Sequence, residues 1–247
     1  HLGLYKPWAL PLQRGFDEQY GYYLGGEDYF THERDGAPDW HRNDSRIVPG
    51  DRGTYSAHLL AKATVDFIHR HMAVPFFVYL AFQSVHSPLQ APVQYENRYP
   101  HLRGNQRTRA GMVSALDDAV GNVSFALQVI GQSNCTLILF LADNGAPDGL
   151  ALWEDDQRQP ALAVAVDASG TMRPPSGSGY PPHGLGGGSN APLTGWKHWV
   201  YEGGVRSATF VRWPAGLAAQ REGHFGLFSV VDWLPTLLRL FGGSTAP

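Results

Sequence analysis

The stretch Thr136-Leu137-Ile138-Leu139-Phe140-Leu141-Ala142-Asp143-Asn144-Gly145 joins an apolar run to a polar turn. A short apolar run closed by turn residues reads as a buried strand. Open α/β sheets bind ligands beyond the carboxyl ends of their strands, so Asp143 and Asn144 stand where two hard oxygen donors could hold a divalent cation. Asp-Asn-Gly is also ordinary turn chemistry, and that reading stays open.

The flanking sequence supplies the elements such a sheet needs. Leu60, Ala63, Phe67 and Ile68 follow Tyr55 at helical spacing and stop before Pro75; residues 76–82 then read as a buried strand. A second helix is predicted over 108–132, with Met112, Leu116, Ala119, Val123 and Ile130 on one side, and it leads into the strand ending at Ala142. Helix–strand–helix–strand order predicts parallel crossovers and an α/β sheet. Residues 146–190 hold Pro174-Pro175, Pro181-Pro182 and Gly186-Gly187-Gly188, and read as a flexible insertion with 162–166 as an edge-strand candidate. Beyond it, 207–213 reads as a strand, and Asp232 as the structural N-cap of a helix over 233–241.

Length and composition narrow the function classes. At 247 residues the chain can bury a sizeable core, and its 29 glycines and 18 prolines imply many loops. A net charge of -3 without any basic run gives no support for a nucleic-acid or anionic-membrane partner. No apolar run approaches the roughly 18 residues of a membrane span. The first residue is His1, and no leader pattern follows it, so the chain reads as part of a longer protein. Cys135, the single cysteine, cannot form an internal disulfide and reads as a small, partly buried residue at a strand entrance. Three N-glycosylation sequons begin at Asn43, Asn122 and Asn134.

Four segments then fall in a telling order: His1-Leu2-Gly3 before Arg14-Gly15-Phe16-Asp17, Ser84-Val85-His86-Ser87-Pro88, Asp143-Asn144-Gly145, and Trp196-Lys197-His198-Trp199 before Tyr201-Glu202-Gly203-Gly204-Val205-Arg206. Together they resemble the type I sulfatases, and residues 21–33 with 81–90 are most similar to the arylsulfatase B, I and J group. The resemblance implies an α/β fold, an alkaline-phosphatase-like sandwich with a central, mostly parallel sheet flanked by helices. In this chain the sandwich would be incomplete: residues 1–247 would form part of the catalytic domain, without its N-terminal strands and C-terminal subdomain.

The same resemblance implies a chemistry. Type I sulfatases hydrolyse sulfate esters with a formylglycine, made from a cysteine in a Cys-x-Pro-Ser-Arg or similar motif, whose hydrated aldehyde attacks sulfur. Cys135 precedes Thr136-Leu137-Ile138 and is not in such a motif, so the nucleophile is expected from a cysteine upstream, and this chain alone is expected to be inactive. Asp143 and Asn144 match half of a one-calcium site, His86 the histidine that contacts sulfate and protonates the leaving oxygen, and Lys197 the lysine that reaches a sulfate oxygen. His1 matches the histidine that hydrogen-bonds the formylglycine hydroxyl. Thr194-Gly195-Trp196 departs from the arginine-bearing sequence usual before that lysine.

Several residues read as structural. Glu27, Asp28 and His32 lie in a polar-aromatic loop that could shape a sugar pocket but more often would be solvated, and Glu202 and Arg206 read as a strand lead-in. The implied substrate is a sulfated small molecule or glycan, in a glycoprotein of the secretory pathway, lysosomal or extracellular. The competing reading is a non-catalytic relative that binds sulfated glycans through His86 and Lys197. A two-zinc phosphate-ester hydrolase is disfavoured, because the segments match a one-calcium pattern.

Overall fold

The computed structural model describes residues 4–43, 45–46, 51–147, 165–166, 172–173, 189–218, 223 and 226–242. The chain divides into two units, His1–Trp213 and Pro214–Pro247.

Two helices form the centre of the first unit. Helix α1 spans Ser56–Arg70 and helix α3 spans Gly104–Val129, with the single-turn helix α2, Val93–Glu96, between them in sequence. The spacing of Leu60, Ala63, Phe67 and Ile68 therefore marks a real helix, and the second predicted helix starts four residues early and ends three early. Ala57 and Ala61 of α1 share one core with Ala115 and Ala119 of α3, Met112, Tyr29, Tyr55 and Tyr95. Alanines at a spacing of four on both helices leave little side chain between them and allow close approach. Leu59 and Leu60, on another side of α1, join Trp40 in a second core that includes Tyr20, Tyr22, Leu80 and Phe82.

Short strands cover this helical centre. Strands β1 (Tyr20–Gly21), β4 (His41–Arg42) and β5 (Ser45–Arg46) form one antiparallel sheet. Strands β2 (Glu33–Arg34) and β3 (Ala37–Pro38) form a hairpin around Asp35 and Gly36, whose φ angles of 53° and 76° are those of a type I′ turn, the geometry that Asp-Gly favours.

Strand β6, Ile138–Leu141, matches the predicted strand before Asp143, and β9, Thr209–Arg212, matches that over 207–213. They pair with each other, antiparallel, and the directly opposed Phe140 and Phe210 rings stack at 4.7 Å. Every ladder among the described residues is antiparallel; the parallel pairing expected from the element order is not among them. Residues 76–82 form no ladder among the described residues, and Phe77 and Tyr79 are exposed. An apolar run becomes a strand only when neighbouring strands satisfy its backbone groups.

Most of 146–190 lies outside the described residues. Within it, β7 (Ala165–Val166) pairs with β8 (Met172–Arg173), at the end of the predicted edge strand. In the second unit, α5 spans Trp233–Leu240. Asp232 is its N-cap residue, as the sequence predicts, but its side chain makes no capping bond to α5: the carboxylate accepts the Ser229 amide at 2.8 Å and closes a capping box on the preceding 3-10 turn, Val230–Asp232. Among the described residues no helix is long and apolar enough to cross a membrane.

Candidate active site

His86 sits on a loop held from below by Tyr29. The buried Tyr29 hydroxyl donates to the carbonyls of His86 at 2.8 Å and Gln83 at 3.0 Å, and the His86 amide closes a turn onto Gln83 O at 2.8 Å. Arg109 of α3 adds a bond to Val85 O at 3.1 Å. The imidazole itself is exposed, and its Nδ1 lies 2.7 Å from Ser87 O. A carbonyl only accepts, so Nδ1 carries the proton and Nε2 remains the basic nitrogen.

The loop carrying Glu27, Asp28 and His32 is the scaffold of this arrangement, not a solvated surface. Gln90 clamps it: its Oε1 accepts the Tyr29 amide at 2.8 Å and its Nε2 donates to Asp28 Oδ2 at 2.6 Å. Burial pulls the Asp28 carboxyl upward, but bonds from Gln90 and the Thr31 and Phe30 amides outweigh it, leaving the group below the usual carboxylate range. His32 is buried, and burial lowers its affinity for a proton. Glu27 is 0 % exposed, and neither carboxylate oxygen has a hydrogen-bond partner among the described residues. Burial, with Asp39 nearby, pushes it up to about 9 despite the opposing Arg34 charge, so it is a neutral acid at physiological pH.

The other candidates meet just past the end of β6. Asp143 is exposed and its Oδ1 accepts the Asn144 amide at 2.9 Å, while Asn144 Nδ2 donates to Gly145 O at 2.9 Å and so leaves the amide oxygen as a donor to a cation. Asn190 locks the next residue from both sides, with Oδ1 2.8 Å from the Ala146 amide and Nδ2 2.9 Å from its carbonyl. Lys197 joins here: its amide bonds Ala146 O at 3.0 Å. Glycines make this contact achievable. A Cβ on Gly145 would overlap the Gly203 carbonyl, and one on Gly203 would overlap that of Gly195. The Glu202-Gly203-Gly204-Val205 sequence forms a helical turn, α4, with an exposed Glu202–Arg206 pair at 3.4 Å rather than a strand lead-in.

Tyr22 links the two halves. Its hydroxyl donates to Ala81 O at 2.9 Å, five residues before His86. Burial raises its proton affinity most, and Glu27, Tyr79 and Asp143 add to the effect. Asp143 and Asn144 suit a hard cation by donor chemistry but supply only two of the six to eight oxygens calcium takes, and no group of three His, Cys, Asp or Glu side chains among the described residues completes a metal site. The His1 assignment lies outside the described residues.

The sequon side chains Asn43, Asn122 and Asn134 are all exposed. Asn122 lines a cavity of about 510 Å³ with His58, Tyr95, Asp117 and Asp118, none of them a candidate site residue. Cys135 is exposed rather than partly buried, because the turn after α3 presents its thiol to the Gln132 side chain at 2.6 Å. Tyr29, Gln83, Gln90 and Arg109, which position His86, carried no local signal in the sequence.

Comparison with known proteins bears on this arrangement. The family model described as Sulfatase matches residues 2–244. Arylsulfatase J of Mus musculus is 34% identical over 250 residues, covering 98% of this chain and 36% of that protein. N-acetylgalactosamine-6-sulfatase of Mus musculus is 31% identical over 256 residues, covering 98% and 41%. The chain thus spans well under half the length of these relatives. Among solved structures, Ps i-CgsB in complex with k-i-k-neocarrahexaose superposes with a TM-score of 0.75 at 27% identity, over 98% of this chain and 49% of that one. The putative sulfatase yidJ from Bacteroides fragilis, with a TM-score of 0.61 at 17% identity over 94% and 45%, shares the fold. That fold is the α/β, alkaline-phosphatase-like type.

Proposed function

Because this chain belongs to the sulfatase family, we infer that the protein hydrolyses sulfate esters at a site built from His86, Asp143, Asn144 and Lys197. The observation that carries this reading is the 3.0 Å bond from the Lys197 amide to Ala146 O, which ties the candidate sulfate-binding lysine to the turn bearing the candidate metal ligands. In the reading, Lys197 holds a sulfate oxygen with a compact positive charge. His86 binds the sulfate through its ring and, protonated at Nε2, gives that proton to the departing oxygen. Asp143 and Asn144 would hold calcium, which when bound neutralises charge on the sulfate oxygens. The nucleophile would be a formylglycine from a cysteine other than Cys135.

The proposed substrate class is a sulfated sugar or glycosaminoglycan. Supporting it are the likeness to an N-acetylgalactosamine-6-sulfatase and to a structure that holds k-i-k-neocarrahexaose. Three exposed sequons support a glycoprotein of the secretory pathway, lysosomal or extracellular. Trp196, in place of an arginine before Lys197, favours the second reading, a non-catalytic relative that binds sulfated glycans. Steady-state release of sulfate from p-nitrophenyl sulfate by the full-length protein, with the cysteine that supplies the nucleophile, separates the two. Turnover that Lys197→Ala slows supports hydrolysis; binding of a sulfated glycan without any turnover supports the second.

A further inference from the structure

The short segment that carries Lys197 is crowded with aromatic rings. Trp196 and Trp199 have centroids 4.9 Å apart, and Trp199 and Tyr201 5.7 Å apart. A tight turn brings them together: the Trp199 amide bonds Trp196 O at 2.9 Å, and His198 at the bend takes a φ of 77°. Gly195 completes the packing, since a Cβ there would lie 2.8 Å from Tyr201 Cβ. None of the three rings belongs to either hydrophobic core. Trp196 and Trp199 are part-exposed, and Tyr201 is 42% exposed.

Aromatic surface left part-exposed at the edge of a polar site loses free energy to water, and a ligand with an apolar face regains it. A pyranose offers such a face in its axial C–H groups, whereas bare sulfate and small alkyl sulfates do not. Lys197 lies between Trp196 and Trp199 in sequence, so a ring resting on these side chains carries its sulfate to within a short reach of the ammonium.

We propose that Trp196, Trp199 and Tyr201 form a stacking platform for the pyranose ring of a sulfated sugar whose sulfate Lys197 holds. This rests on the sulfate-binding reading of Lys197 given above. The platform determines specificity: it selects sugar esters, while Lys197 recognises the anion.

Tryptophan fluorescence titrations with two probes test it: inorganic sulfate, and the 6-sulfonate analogue of N-acetylgalactosamine, whose C–S bond does not hydrolyse. Trp199→Leu is expected to weaken the sugar sulfonate about tenfold while changing sulfate affinity less than about twofold, and Trp199→Phe to retain most of the sugar affinity. Lys197→Ala should weaken both probes. Sugar-sulfonate binding that Trp199→Leu leaves unchanged would overturn the platform and leave the lysine reading standing. Equal loss of both probes in Trp199→Leu and Trp199→Phe would reduce the ring to a structural role and likewise overturn it. If the unaltered protein binds neither probe, or Lys197→Ala changes nothing, the lysine reading fails and the platform with it.

Discussion

The Tyr29 hydroxyl donates to the His86 carbonyl at 2.8 Å across 57 residues of chain, and through this bond a buried phenol fixes the backbone of the one candidate proton donor. The same hydroxyl reaches Gln83 O at 3.0 Å. Removing it takes this donor from the His86 carbonyl, while Gln83 O keeps the His86 amide and the ring still fills its space against Tyr55, with centroids 5.1 Å apart. Tyr29→Phe is therefore expected to cost about 1–3 kcal/mol of stability, read as a melting temperature lower by several degrees, and to reduce kcat more than it raises KM.

Gly145→Ala should be far more damaging than its size suggests. The new methyl would overlap the Gly203 carbonyl, so the 143–146 turn and the 194–204 segment must separate and the Lys197–Ala146 bond must break. The expected result is a lower melting temperature together with loss of sulfate affinity. Gly121→Ala on α3 has open space around its Cβ and should leave both unchanged or slightly improved.

Glu27 sets a pH dependence of stability. Its carboxyl is raised from an ordinary 4.5 to about 9 in the folded protein, first by burial and then by Asp39. The unfolded chain releases that proton first, so the contribution is fully present below about pH 4.5, shrinks as pH rises, and is lost above about pH 9. The protein should melt at a higher temperature at pH 5 than at pH 8. Glu27→Gln, a permanent mimic of the neutral acid, should narrow that difference mainly by raising the value at pH 8. An unchanged difference would mean that another group governs it.

Calcium is expected to raise the melting temperature, and chelation to reverse the effect. Asp143→Ala and Asn144→Ala should each abolish most of the calcium-dependent shift, because each removes one of the two candidate oxygen donors. A full shift in both variants would place the ion elsewhere.

How far the sequence foretold this molecule depends on whether the signal was local. Helices α1 and α3 announce themselves through apolar spacing, and β6 and β9 through short apolar runs. Strand partners are a tertiary matter: β6 meets β9 across some seventy residues, antiparallel, while the equally apolar 76–82 finds no ladder among the described residues. The union of Asp143 and Lys197 was legible as motif order but not as mechanism, since the interlocking of Gly145, Gly195 and Gly203 shows only in three dimensions. Glu27 misled because a carboxylate between glycines and a tyrosine reads as solvated, whereas the fold buries it beside Gln83, whose side-chain amide donates to its carbonyl at 3.2 Å.

The most direct measurement compares sulfate release from N-acetylgalactosamine 6-sulfate and from p-nitrophenyl sulfate by the full-length protein, with the cysteine that supplies the nucleophile, and by its His86→Ala variant. A sugar alkoxide is a poor leaving group that needs a proton, and p-nitrophenolate is a good one that does not. The account predicts that His86→Ala lowers kcat on the sugar ester by about 100-fold or more and on the aryl ester by much less. Equal losses on both esters, no loss on either, or no turnover of either ester by the unaltered protein would contradict it.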